Sequence, residues 1–250
     1  VMGVAEIAHR ASRVLQAGVE RAGIGLARDT RMVPGTVPAT QPWLAVSPAN
    51  VDVARHAAAA DRILGGHFTI FAEADLALGF PPRWNREPRS GIEVPLRFGK
   101  TIEYRDSRVV GDVKFLWEIN RHLQLVTLAQ AWRLTGDERY ARGCRDWLQS
   151  WCAQCPYPLG INWTSSLEAA FRLVNWSAAW HLLGGAASPL FRGEEGVAFR
   201  QAWLRSIRQH CHFVAGHLSL HSSANNHLLG ELLGLYVGST TWPLWSESAR

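Results

Sequence analysis

Lysine is nearly absent from this 250-residue chain: of 26 basic residues only Lys100 and Lys114 are lysine, so the net charge of +5 rests on arginine. Arginine's planar fork suits carboxylate, sulfate or phosphate partners, but a GC-rich genome produces the same bias. There is no basic run and no helix-turn-helix, zinc-finger or RNP signature, so nucleic acid is not an expected partner. Cysteine is also scarce. Cys144, Cys152, Cys155 and Cys211 cannot staple a chain of this length. Cys152-Ala-Gln-Cys155 is a single CxxC beside a distant His210-Cys211-His212, whereas structural zinc sites present two close ligand pairs. Buried thiols and no metal are the expectation.

Long apolar runs are missing too. No segment approaches the roughly 20 uncharged residues of a membrane span. His9, Arg10 and Arg13 interrupt residues 1–20, so no secretory signal is expected there. Phosphate loops, GxSxG and HExxH do not occur. His217-Leu218-Ser219-Leu220-His221 has the zincin histidine spacing without the glutamate. No cofactor is expected.

What the chain has is 47% hydrophobic residues and 12 tryptophans, ample for the core of one large domain. Residues 4–28 read as an amphipathic helix carrying Ile7, Val14, Leu15 and Val19. Prolines 34, 38, 42, 48, 81, 82, 88 and 95 then mark an irregular Pro/Gly-rich stretch, with a helix over 51–64 and a short strand over 67–71. After Gly111 the pattern is helical: 112–134, then 138–153 capped by Asp137, then a helix to about 183 opened by a Ser165/Glu168 capping box. Further helices cover about 195–217 and 224–237. Short loops and no credible sheet predict an all-α architecture of antiparallel pairs, with residues 1–110 as the irregular lead-in and 111–250 as the helical unit.

Three clusters combine polar groups with tryptophan or asparagine. Trp117-Glu118-Ile119-Asn120-Arg121 is the first. The second runs from Gly160-Ile161-Asn162-Trp163 to Glu168, Arg172 and Asn175, whose i, i+4, i+7 spacing makes a polar helix stripe. The third is Ser222-Ser223-Ala224-Asn225-Asn226-His227, with Glu231 one turn later. Singly, these are an ordinary i,i+4 ion pair, a helix cap and a core histidine. Together they suggest a shared polar cleft. Tryptophan beside Arg, Asn and His offers sugar rings a flat apolar face and hydroxyls a set of donors.

At these residues the chain resembles the heparinase II/III-like family of polysaccharide lyases. Gly111-Asp112-Val113-Lys114 running into Trp117-Glu118-Ile119-Asn120-Arg121, Thr135-Gly136-Asp137-Glu138, Gly160-Ile161-Asn162-Trp163 with Glu168 and Arg172, and Asn225-Asn226-His227 carry the likeness. It extends over roughly residues 60–240 and concerns the N-terminal, alginate lyase-like helical domain. The resemblance implies an incomplete (α/α) toroid followed by a β-sandwich that this chain does not contain. It implies β-elimination on an anionic, uronic-acid polysaccharide, and a periplasmic location. Asn226 would neutralise the substrate carboxylate, with His227 as donor or base. Trp117, Asn120, Arg121, Asn162, Trp163, Glu168, Arg172 and Asn225 would line the cleft.

The family's tyrosine acid–base lies on a later helix, where none of Tyr104, Tyr140, Tyr157 and Tyr236 falls. The expectation is therefore a truncated lyase front with little elimination of its own. One alternative is a non-catalytic carbohydrate-binding toroid. Another is an (α/α) glycoside hydrolase, for which Glu118 and Glu168 are the plausible carboxylate pair.

Overall fold

The computed structural model describes residues 3–27, 51–221 and 224–245. Expectations for Pro34, Pro38, Pro42, Pro48, Ser222 and Ser223 lie outside the described residues.

Helix α1 is Val4–Arg21 and α2 is Val53–Leu64, the latter capped by Asp52 accepting from the Arg55 N–H. The short strand is present as β1 (His67–Ile70), with Phe68 and Ile70 turned into the core. It pairs antiparallel with β2 (Glu73–Ala77), a strand that sequence pattern does not announce. The 3₁₀ turn Gly99–Thr101 and the single-turn α3 (Ser107–Val110) complete the lead-in.

The expected helix over 112–134 is in fact two, α4 (Val113–Asn120) and α5 (Leu123–Thr135). They part at His122, whose φ of 66° is left-handed. For a residue with a Cβ that conformation costs about 1–2 kcal/mol. Burial offsets it: the imidazole packs among Trp84, Trp147, Trp151 and Trp176, and its Nδ1 accepts from Trp176 Nε1 at 2.8 Å. Apolar periodicity continues across the break, so sequence alone does not expose it.

Gly136, at φ 71°, ends α5 in the left-handed cap that favours glycine. Asp137 then caps α6 (Glu138–Gln154), followed by α7 (Ser166–Leu182), α8 (Gly193–Gly216) and α9 (Asn226–Thr241). In α7 the expected capping box is absent. Ser165 makes no side-chain cap, and Glu168 turns away to bind Arg121.

Helices α2, α5, α7 and α9 pack side by side in succession, while α6 lies on α5 and α8 on α7 and α9. This is the all-α toroid arrangement of antiparallel pairs. Its tightest seam joins α7 to α9, where a Cβ on Gly234 would stand 2.6 Å from the Ala170 Cβ. Eight tryptophans (Trp84, Trp147, Trp151, Trp163, Trp176, Trp180, Trp203 and Trp242) are fully buried. Trp84, Phe68 and Ile63 of the lead-in share one core with the toroid helices.

Candidate functional site

A cleft of about 1280 Å³ opens where the starts of α7 and α9 face α1, the turn at Gly99–Thr101 and α4. Its walls include Trp117, Arg121, Glu168, Asn225 and His227, five of the ten residues expected from sequence. Each is placed by local chemistry. Asn225 caps α9 by accepting from the His227 N–H at 2.8 Å, which holds the Asn225-Asn226-His227 turn at the rim. All three are exposed; Asn226, the first residue of α9, is not among the lining residues. One turn on, the buried Glu231 carboxylate accepts from Ser166 Oγ (2.6 Å), Ser219 Oγ (2.8 Å) and the Ser219 N–H (2.7 Å). That ties α9 to α7 and to the segment following α8.

Arg121 is held between two carboxylates. Its Nε and Nη2 bond Glu168 at 2.8 and 2.9 Å, its Nη1 bonds Glu118 at 2.7 Å, and Phe171 lies beneath it with Cζ 4.6 Å from the ring centre. The hydrogen bond to Glu168 holds the guanidinium pKa above its usual value. Its charge is therefore spent inside the protein.

The stripe of Glu168, Arg172 and Asn175 is a clamp on the α4–α5 bend. Glu168 takes the Arg121 guanidinium, Asn175 donates to the Arg121 carbonyl at 2.7 Å, and Arg172 reaches the Asn120 carbonyl at 3.4 Å.

Asn120, Asn162, Trp163 and Arg172 do not line the cleft; all four are buried beneath it. Arg172 donates from Nε to His210 Nε2 (2.8 Å) and from Nη2 to the Asn162 carbonyl (2.7 Å), and sits 5.0 Å above the Trp151 ring. Desolvation lowers its pKa to about 10. His210 Nδ1 lies 2.7 Å from the Ser206 carbonyl, so Nδ1 carries the proton and Nε2 accepts. Asn120 donates to the Trp84 and Leu116 carbonyls and accepts from Trp151 Nε1. Asn162 donates to Cys155 Sγ (3.1 Å), and Trp163 Nε1 to the Cys155 carbonyl (3.2 Å). Polar residues beside tryptophan thus build an internal network here, because buried polar groups require partners. The four cysteines are free thiols, and burial pushes Cys152 up to about 11. Among the described residues no cluster of three metal-ligating side chains occurs.

Several cleft residues were not singled out as site residues by sequence. Lys100 donates to the Thr164 carbonyl at 3.0 Å and lies 5.1 Å from the Phe213 ring centre. Burial, then Arg13, lowers its pKa to about 8 against the opposing pull of Glu20 and Glu231. Tyr104 packs on Trp117 at 5.3 Å and is the only one of the four tyrosines that lines this cleft. Helix α1 closes one side with its polar face: Arg13 and Gln16 donate to the Gly216 carbonyl, and Glu20 lies 3.2 Å from His217 Nε2. Of its apolar residues, Val14 lines the cleft, whereas Leu15 is exposed outside it. The available signal for Lys100 was its rarity in an arginine-rich chain.

Fold and cleft define an (α/α) toroid unit with a groove of cations, aromatics and an asparagine–histidine turn. Residues 83–250 match the Heparinase II/III N-terminus family, and the chain belongs to that family. Two solved structures are similar in fold. The crystal structure of heparan sulfate lyase HepC from Pedobacter heparinus shares 20% identity at a TM-score of 0.61, covering 82% of this chain and 28% of that one. The Heparinase III-BT4657 gene product shares 18% at 0.55, covering 82% and 31%. The chain therefore spans less than a third of the length of either. No curated protein matches it.

Proposed function

We propose that this chain supplies the toroid cleft of a polysaccharide lyase acting by β-elimination on a uronic-acid-containing anionic polysaccharide. The observation that carries the reading is the meeting, in one groove, of Asn225 and His227, the residues flanking Asn226 at the start of α9, with a cationic and aromatic wall. The similar heparan sulfate lyases are named for a polymer of this kind.

In this reaction a base takes the proton at C5, the bond from C4 to the glycosidic oxygen breaks, and the leaving oxygen is protonated. A C4–C5 alkene remains. The neighbouring carboxylate already carries charge and resists more, so fixed donors must neutralise it as the carbanion develops. On this reading the Asn226 amide is that donor, and His227 is a second donor or the base. Both stand in the first turn of α9, where the helix dipole favours an anion, although the Asn225 cap already takes the His227 N–H.

The test is the ultraviolet absorbance of the conjugated alkene on a panel of uronic-acid polymers, together with polymer binding. Binding is expected, and Asn226→Ala or His227→Ala should lower any elimination at least a hundredfold. Affinity without alkene would indicate a carbohydrate-binding toroid. Product without unsaturation, lost on Glu118→Gln and Glu168→Gln, would indicate hydrolysis. The engagement of both carboxylates by one guanidinium speaks against that outcome.

A further inference from the structure

We infer that Lys100, Tyr104, Arg105, Lys114 and Trp117 form a binding subsite for an acidic sugar next to the one that reacts, separate from the Asn225-Asn226-His227 turn. The inference rests on the proposed polysaccharide reading and names which wall of the cleft holds the polymer.

The first argument is the state of the cleft's cations. Arg121 is matched by two carboxylates and has little attraction left for a ligand. Arg10 is paired with Glu6 at 2.8 Å. Among the described residues, Lys100, Arg105 and Lys114 have no carboxylate within 4.0 Å, and all three line the groove. A charge kept unpaired at a concave surface raises the local concentration of anions.

The second argument is the aromatic floor. Tyr104 and Trp117 lie 5.3 Å apart with planes inclined at 45°, and the Arg105 guanidinium sits 5.6 Å from the Tyr104 ring centre. Lys114 and Trp117 are i,i+3 neighbours on α4, so ammonium and indole share one face. A pyranose laid on such rings directs its exocyclic anion toward the flanking cations.

The third is the choice of residue. Both lysines of a chain otherwise reliant on arginine stand on this cleft. A compact ammonium accepts an anion from many directions, whereas the arginine fork demands a coplanar one. That tolerance suits a carboxylate or a sulfate ester carried on a flexible polymer. The wall comes from the Gly99–Thr101 turn and α4, whereas the asparagine–histidine turn opens α9.

The experiment is calorimetric titration of the whole chain at two salt concentrations. The probes are hyaluronan, charged only through carboxylates, and dextran sulfate, charged only through sulfate esters. Wild type should bind at least one. Arg105→Gln combined with Lys114→Gln, both exposed positions, should weaken that binding at least tenfold with unchanged circular dichroism. By counter-ion release, the salt dependence should fall by roughly one for each cation removed. Arg133→Gln on α5 is the control and should bind as wild type. Unchanged affinity and salt slope in the double variant would overturn the subsite while the wider reading stands. Failure of wild type to bind either polymer would overturn both.

Discussion

Arg172 donates from Nε to Nε2 of His210 at 2.8 Å, and among the described residues no carboxylate pairs with that guanidinium. A buried cation held by a neutral imidazole and backbone carbonyls is costly to desolvate, and costlier to remove once its acceptors have been built around it. Arg172→Ala leaves the Asn162 and Asn120 carbonyls and His210 Nε2 without their donor. Its expected effect is a loss of about 3–5 kcal/mol in a denaturant titration. Arg172→Met, which keeps the volume, should lose less. Polymer affinity in whatever fraction folds should stay at the wild-type level. A folded Arg172→Met that had lost affinity selectively would return Arg172 to the ligand-binding set.

Acid should destabilise the fold through His122 and His210. Both are fully buried, and desolvation keeps their pKa values well below 6.5; the Arg172 charge acts in the same direction on each. Below pH 6.5 the unfolded chain binds protons that the folded chain refuses, so stability falls as pH falls. Each histidine contributes up to about 1.4 kcal/mol per pH unit in that window and nothing well above it. Thermal unfolding followed from pH 7.5 to pH 5 checks this; a flat profile would contradict it.

Glu168→Gln releases Arg121 from one of its two carboxylates. Loss of one charged partner should cost about 1–3 kcal/mol of stability, because the bidentate bond is charge-assisted and Glu168 is almost fully buried. The same change leaves Arg121 facing Glu118 alone, so affinity for an anionic polymer should rise several-fold. Weaker binding would mean that Glu168 itself contacts the ligand.

Burial lowers the Lys100 pKa to about 8. Its contribution to anion binding is present below that value and fades as pH rises through it. Affinity measured at pH 7 and pH 9 should therefore drop, and Lys100→Gln should flatten that dependence.

Gly234→Ala tests the α7–α9 seam. The new methyl would meet the Ala170 Cβ at 2.6 Å and its carbonyl oxygen at 2.9 Å, and the backbone oxygen cannot step aside. A loss of about 1–3 kcal/mol is expected from overpacking.

Much of the helical layout was legible because caps and periodicity agree: Asp137 opens α6 and Gly136 closes α5 as their chemistry dictates. His122 was not legible, since its left-handed backbone is compensated by tryptophans distant in sequence. The site divided along the same line. That Asn225 and His227 stand in a helix-opening turn was readable from their own sequence, whereas the burial of Asn120, Asn162 and Arg172 shows only in three dimensions. A polar stripe on a helix looks the same in sequence whether it meets a ligand or another backbone.

The tryptophan-rich core also has an optical consequence. Eight indoles are sealed from water, and Trp117 is the only described one lining the cleft. Total emission should stay blue-shifted until the core melts, which makes it a cooperative readout of unfolding. A quencher or polymer entering the groove should touch only the small Trp117 fraction of that light. Replacing Trp117 with phenylalanine would silence the cleft signal while leaving the core's signal in place.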